Sequence, residues 1–211
     1  MDRKRIDRNI LFVIGAIWAA AILFGMFVFK KQGLWIDYAI LDLIHLREMP
    51  WLSRIMEWIT KTGDPLFYVV FNLMAILWLA KKTRYPELIC LVGAVLIGWG
   101  LNQGMKHIFL RARPDGYALI DQGGYSYPSG HGMVAASWYP VLGYLLQYRR
   151  ESLRAAGAAV ALYGLLPGLS RLFLGVHYPT DVFFGHWLGL TIAYLCVRAY
   201  AEYKRRHRLR A

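Results

Sequence analysis

Between Lys106 and Asp181 the chain gathers the residue types that phosphate-ester chemistry needs. It reads Lys106-His-Ile-Phe-Leu-Arg-Ala-Arg113-Pro114, then Pro128-Ser129-Gly130-His131, then Ser170-Arg171, and then His177-Tyr-Pro-Thr-Asp181. Taken singly these residues say little, since a cation beside an apolar run is usually an interfacial anchor. Together they form a set. Lys106, Arg113 and Arg171 are three permanent cations for a phosphoryl group, and an arginine can bind two of its oxygens at once. Ser129 and Gly130 stand at the start of an apolar helix, where unpaired N–H groups and the helix dipole favour an anion. Gly130 also permits close approach of backbone to ligand. His131 and His177 are two imidazoles able to divide nucleophile and general-acid duties. Asp181, four residues after His177, can accept a hydrogen bond from one ring nitrogen and hold the other toward phosphorus. Pro179 predicts a helix start that places His177 just before the helix and Asp181 in its first turn. A plain helix N-terminal charge is the structural alternative for Asp181.

The elements that position these groups are apolar. Hydrophobic residues make up 57% of the 211 and charged residues 18%, against about 45–50% and 25% in soluble domains. That excludes an ordinary soluble fold. The aromatic content of 15% and the lack of repeats exclude disorder, collagen and coiled coil. A bilayer core of about 30 Å needs roughly 20 apolar residues per helix. Six runs qualify or come near: 10–29, 66–80, 88–105, 132–148, 155–169 and 182–197. The expectation is an all-α, polytopic bundle of six transmembrane helices in a single domain, 1–211. The first run lacks a small-residue cleavage site and reads as a span, not a cleaved signal peptide. Cys90 and Cys196 both lie inside apolar runs and form no disulfide framework.

The formal charge of +12 would point to nucleic acid in a soluble protein, but here it reports topology. Lys and Arg near span ends favour the cytoplasm. The N-terminal arm (Arg3, Lys4, Arg5, Arg8), the second connection (Lys81, Lys82, Arg84), the fourth (Arg149, Arg150, Arg154) and the tail (Arg198, Lys204, Arg205, Arg206, Arg208, Arg210) put 16 cations on one side. Lys30, Lys31, Arg47, Arg54, Lys61, Lys106, Arg111, Arg113 and Arg171 put 9 on the other. With the acids split 5 and 8, the sides carry +11 and +1. Both termini are therefore predicted to be cytoplasmic and the motifs extracytoplasmic, with no nucleic-acid partner.

The first outward connection, 30–65, is patterned. Ile36, Ile40, Leu43, Ile44 and Leu46 recur at helical spacing beside Asp37, Asp42 and Arg47, and Trp51, Ile55, Trp58 and Ile59 continue the pattern. One or two helices lying in the outer interface, or a packed cap over the bundle, account for it equally well. Several other residues are set aside. His107 would face away from its neighbour Lys106, His186 lies about a turn beyond Asp181 in the last span, and Arg111 reads as a head-group contact. Tyr117, Tyr125 and Tyr127 read as an interfacial aromatic belt or a site rim. Gly93, Gly98, Gly100 and Gly104 read as close helix packing. Asp115 and Asp121 are the only acids in the third connection, too few to hold a magnesium ion. No metal or other cofactor is therefore expected, and the cations take over charge neutralisation.

The three motifs, taken in order, resemble the signature of the type-2 phosphatidic acid phosphatase superfamily, and the six-span layout is similar to that of its integral-membrane bacterial members. The resemblance implies that His177 forms a phosphohistidine, that Asp181 orients it, and that His131 protonates the leaving alcohol. It also implies that Lys106, Arg113, Arg171, the Ser129 hydroxyl and the Gly130 amide bind the phosphoryl oxygens. Such a site at the membrane surface calls for a lipid phosphate: phosphatidylglycerophosphate, phosphatidic acid or undecaprenyl diphosphate, in a bacterial cytoplasmic membrane and with no protein partner required. A phosphotransferase of the same histidine chemistry is the nearest rival. A vanadate-dependent haloperoxidase shares the motifs but suits a membrane-bound chain poorly. A transporter or lipid-binding protein suits six spans, but no intramembrane ion pair or broken-helix repeat favours it.

Overall fold

The computed structural model describes residues 3–45 and 49–208, and among these it is helical without strands. Leu46, Arg47 and Arg210 lie outside the described residues, as do the side chains of Arg3, Lys4, Arg5 and Arg208. In chain order the helices are α1 (Arg3–Phe27), α2 (Trp35–His45), α3 (Pro50–Lys61), α4 (Pro65–Lys81), α5 (Tyr85–Phe109), α6 (Gly130–Arg149), α7 (Arg154–Tyr163), α8 (Leu166–Phe173) and α9 (Pro179–Arg208). Prolines mark many of the starts. Pro50, Pro65, Pro86 and Pro167 occupy first turns, where a missing N–H costs nothing. Ser129 caps α6 by accepting from the Gly132 amide at 3.3 Å.

Helix α6 is the centre of the bundle and packs against α5, α7, α8 and α9. Its residues from Gly132 to Tyr139 are all buried. The crossing with α7 depends on two glycines: a Cβ on Gly143 would lie 2.2 Å from the Gly157 carbonyl oxygen, and one on Gly157 would lie 2.5 Å from that of Gly143. Two apolar clusters flank α6, one built around Tyr68, Leu91, Trp138 and Tyr200 and the other around Ala21, Phe109, Tyr127, Met133 and Leu188. Away from the core, large apolar side chains point outward, with Phe12, Leu66 and Ile89 78%, 73% and 70% exposed. Bands of this size are stable only against lipid. The protein is a multi-pass membrane protein.

The helices differ from the apolar runs in informative ways. The third run stops at the first charge, but α5 continues through Lys106 to Phe109 and ends where Leu110 turns left-handed at φ 52°. Lys106 thus sits in the last helical turn, not in a connection, because backbone hydrogen bonding does not stop where hydropathy does. The fifth run breaks at Gly164–Leu165 into α7 and α8, with Pro167 opening the new helix. Among the described residues, four stretches are long and apolar enough to cross a membrane: Asp7–Phe27, Tyr85–Phe109, Glu151–Phe173 and Pro179–His207. A fifth is reached if Pro50–Lys61 and Pro65–Lys81, bent by 46°, are taken as one. Helix α6 is not among them: enclosed by other helices, it carries small and polar residues in place of a lipid-facing surface. Of the four glycines expected at helix contacts, only Gly98 packs closely, a Cβ there lying 2.8 Å from Ser137 Oγ, while Gly93, Gly100 and Gly104 would meet nothing within 4 Å.

Two ends of the bundle have different characters. At one, α1 and α5 finish together, with Lys30 N donating to Phe109 O at 3.0 Å, and α4, α6 and α9 begin. At the other lie the ion pairs of Arg198 with Asp7 at 2.6 Å and of Glu87 with Arg149 at 3.3 Å and Lys204 at 3.7 Å. The short helices α2 and α3 cover the first end, α2 against α8 and α9 and α3 against α8.

Candidate active site

All three motifs meet at the covered end. Lys106 comes from the last turn of α5, Arg113 from the connection after it, Gly130 and His131 from the first turn of α6, Arg171 from α8, and His177 from the turn before α9. These six line one cavity of about 510 Å³. A larger cavity of about 970 Å³ lies against α2 and α3 but holds none of them, so chemistry and not size selects the site. Ser129 and Asp181 stand behind the cavity wall, both fully buried. The Ser129 hydroxyl is occupied as the α6 cap and does not line the cavity.

The His177 ring is held from both sides. Arg113 Nη1 approaches Nε2 at 3.1 Å. A guanidinium can only donate, so Nε2 carries the lone pair and the proton resides on Nδ1. That nitrogen faces Ser126 Oγ at 3.3 Å and Asp181 Oδ2 at 3.4 Å. Ser126 Oγ itself donates to Asp181 Oδ2, so the hydroxyl stands between the imidazole and the carboxylate. The Tyr178 amide donates to the same oxygen at 2.9 Å. Burial, together with Arg113, Lys106, Arg171 and His131, holds the His177 imidazole well below its usual range. The ring is neutral, with its free nitrogen facing the cavity cations: the state required to attack an anionic electrophile.

The cations are held by neutral oxygens, and among the described residues none of the three is in direct contact with a carboxylate. Lys106 Nζ donates to the Tyr125 carbonyl. Arg113 Nε donates to the carbonyls of Gly123 and Gly124 at 3.1 and 3.0 Å, and Nη1 to that of Val176 at 2.7 Å. Arg171 donates to Thr60 Oγ1 at 2.8 Å and Gln122 Oε1 at 2.5 Å. Burial pushes the Arg113 guanidinium down to about 10, with Asp181 acting in the opposite direction. A group that stays charged in such surroundings is one prepared for an incoming anion.

Some residues that contact the site lie outside the motifs. Arg111 is fully buried and joins Asp181 at 2.5 Å to Asp37 of α2 at 2.6 Å, which corrects its reading as a head-group contact. Its charge is taken up by two carboxylates brought from distant elements, and neither adjoins it in sequence. His131 Nε2 meets Asp64 Oδ1 at 2.9 Å. Tyr127 is not part of a rim or belt but is buried, donating to the Ala21 carbonyl at 2.7 Å. Tyr117 bonds Asp42 at 2.5 Å, and the Tyr125 contribution is its carbonyl oxygen. His107 is exposed and bonds its own helix at 2.8 Å. His186 is half-buried beside Gly168, outside the cavity. Ser126, Asp64 and Asp37 have no motif spacing to announce them. The one sequence signal was Asp64-Pro65, an ordinary helix-start pair.

Comparison with known proteins follows the same lines. Residues 87–205, which contain all three motifs, match the PAP2 superfamily. The chain is 34% identical over 179 residues to phosphatidylglycerophosphatase B of Bacillus subtilis, covering 82% of this chain and 86% of that one. It is 28% identical over 174 residues to the undecaprenyl-diphosphatase of Sulfolobus acidocaldarius, with 80% of each covered. Its fold matches the crystal structure of a transmembrane PAP2 type phosphatidylglycerolphosphate phosphatase from Bacillus subtilis with a TM-score of 0.76 and 28% identity, over 90% of this chain and 96% of that one. With motifs, fold and overall identity in agreement, the chain belongs to the PAP2 superfamily.

Proposed function

We propose that this protein is a lipid phosphate phosphatase that works through a phosphohistidine on His177 and without a metal. In the first half-reaction His177 Nε2 attacks phosphorus and the P–O bond to the lipid alcohol breaks. His131 gives its proton to the departing oxygen. In the second, His131 takes a proton from water, the water oxygen attacks phosphorus, the P–N bond breaks, and inorganic phosphate leaves with His177 regenerated. Lys106, Arg113, Arg171 and the Gly130 amide bind the phosphoryl oxygens throughout, since phosphoryl transfer depends on positioning and charge stabilisation. Asp181, through Ser126, orients His177. Ser129 acts at one remove by fixing the start of α6. The observation that carries this reading is the His177 ring, which presents Nε2 to Arg113 at 3.1 Å in a cavity shared with two further cations.

The cavity also argues for a lipid. Beyond the cations its walls are Val69 of α4 and Val95, Leu96 and Trp99 of α5, an apolar route on which a chain can lie while its phosphate meets His177. Phosphatidylglycerophosphate, phosphatidic acid and undecaprenyl diphosphate all fit that description, and the names of the relatives favour the first and last. The layout that goes with this function is one domain, 1–211, with six spans, α2 and α3 at the interface, both termini cytoplasmic and the site on the extracytoplasmic side of a bacterial cell membrane. The charge asymmetry of +11 and +1 supports that orientation.

The test is phosphate release from these three lipids by the purified protein in detergent with EDTA present. Turnover with lipid alone is expected, lost in His177→Ala and slowed in His131→Ala with accumulation of phosphoenzyme. Strict dependence on an alcohol acceptor, a metal requirement, or an active His177→Ala variant would each overturn the proposal.

A further inference from the structure

Asp64 occupies an unusual position for a helix-capping residue. It is the N-cap of α4, with extended backbone at φ −75° and ψ 149°, yet its side chain makes no cap hydrogen bond. Aspartate at an N-cap normally accepts from the first-turn amides. Here the carboxylate turns away from its own helix and meets His131 Nε2 at 2.9 Å. The approach is possible because the preceding residue has no side chain: a Cβ on Gly63 would lie 2.6 Å from His131 Cδ2 and 2.8 Å from Pro167 Cβ. The α3–α4 corner, bent by 46°, is thus folded onto the His131 imidazole. His131 is otherwise surrounded by positive or neutral groups, with Arg171, Lys106 and His177 sharing its cavity.

We propose that Asp64 is the positioning residue of His131, so that the site contains a second carboxylate–imidazole pair beside that of His177 and Asp181. The inference rests on the reading of His131 as the general acid. Asp64 lies outside both the motifs and the segment 87–205 that matches the family. It accepts the Nε2 proton, fixes the ring in the cavity wall, and leaves Nδ1 as the nitrogen that delivers a proton to the leaving oxygen. Its negative charge also stabilises the imidazolium against the cations around it. The two histidines are consequently held differently: Nε2 of His177 faces Arg113, whereas Nε2 of His131 faces a carboxylate.

The leaving group gives the test, because a poor leaving alcohol needs the acid and a good one does not. We would compare kcat/KM for phosphatidic acid and for 4-nitrophenyl phosphate in the wild type, Asp64→Ala, Asp64→Asn and His131→Ala. Asp64→Ala should lose roughly 10- to 100-fold on phosphatidic acid and less than about threefold on the nitrophenyl ester, a fraction of what a general acid supplies. Asp64→Asn, which keeps the shape, should show the same selective loss. An equal loss on both substrates in both Asp64 variants would mean a structural role and overturn the inference, as would an unaffected phosphatidic acid rate. His131→Ala separates the two levels: if it shows no dependence on leaving group, the reading of His131 as the acid fails first.

Discussion

Arg111 and Asp181 form a fully buried ion pair at 2.5 Å, and the same guanidinium reaches Asp37 of α2 at 2.6 Å. The carboxylate proposed to orient His177 is therefore tied through one arginine to a helix that covers the site. Thr180, next to Asp181 in α9, completes the junction by donating from its amide and hydroxyl to Asp37 at 3.0 and 2.8 Å. Two buried acids share one buried base, with hydrogen bonds to most remaining oxygens. A pair of this kind resists removal of one partner far more than replacement of the whole.

Substituting Arg111→Met is accordingly expected to destabilise the protein by about 3–5 kcal/mol, the cost of leaving a buried charge without its partner. The thermal transition of the detergent-solubilised variant measures this. Adding Asp37→Asn to the same chain should recover part of the loss by removing one stranded charge. A transition unchanged from wild type would mean that the pair is not buried as described.

Ser126 offers a milder probe. Its hydroxyl donates to Asp181 and faces His177 Nδ1 at 3.3 Å, while the Asp181 carboxylate still has Arg111 and the Tyr178 amide. Ser126→Ala should therefore fold normally and lose about tenfold in kcat, equivalent to about 1–1.5 kcal/mol for one hydrogen bond. Steady-state kinetics with a circular-dichroism control would show it. Full activity would remove Ser126 from the relay between Asp181 and His177.

Nitrogen NMR of histidine-labelled protein, with His177→Ala used for assignment, reports the His177 state directly. The signal of a neutral ring with Nδ1 protonated and Nε2 bare should persist as the pH falls through 6.5, the ordinary histidine value, because the folded-state pKa lies well below it. The sign of the stability effect follows. Below pH 6.5 the unfolded chain binds a proton at this histidine and the folded chain does not, so this group lowers stability as pH falls. A ring that titrates near 6.5 would contradict the burial and the neighbouring cations.

Much of the site was legible in the sequence because its chemistry is local. His177 and Asp181 are joined by one turn at the start of α9, which Pro179 announces, and Ser129 with Gly130 opens α6 as helix-start chemistry requires. The apolar runs likewise located the main helices, since burial in lipid demands length and hydrophobicity. Their limits were less legible. The run ending at Met105 hid the fact that Lys106 is helical, and the run 155–169 hid the break between α7 and α8.

The sequence alone determined the membrane class, the main apolar helices and the candidate set of Lys106, Arg113, His131, Arg171, His177 and Asp181, because each is expressed in residue type and short-range spacing. Only the tertiary structure decided which partner each group has. Arg111 with Asp37 and Asp181, Ser126 with His177, and Asp64 with His131 are separated by 51 to 74 residues, and hydropathy records that such a residue is near or far from lipid, not what it faces. Helix packing around α6 sets those distances, and with them the protonation states that the proposed chemistry needs.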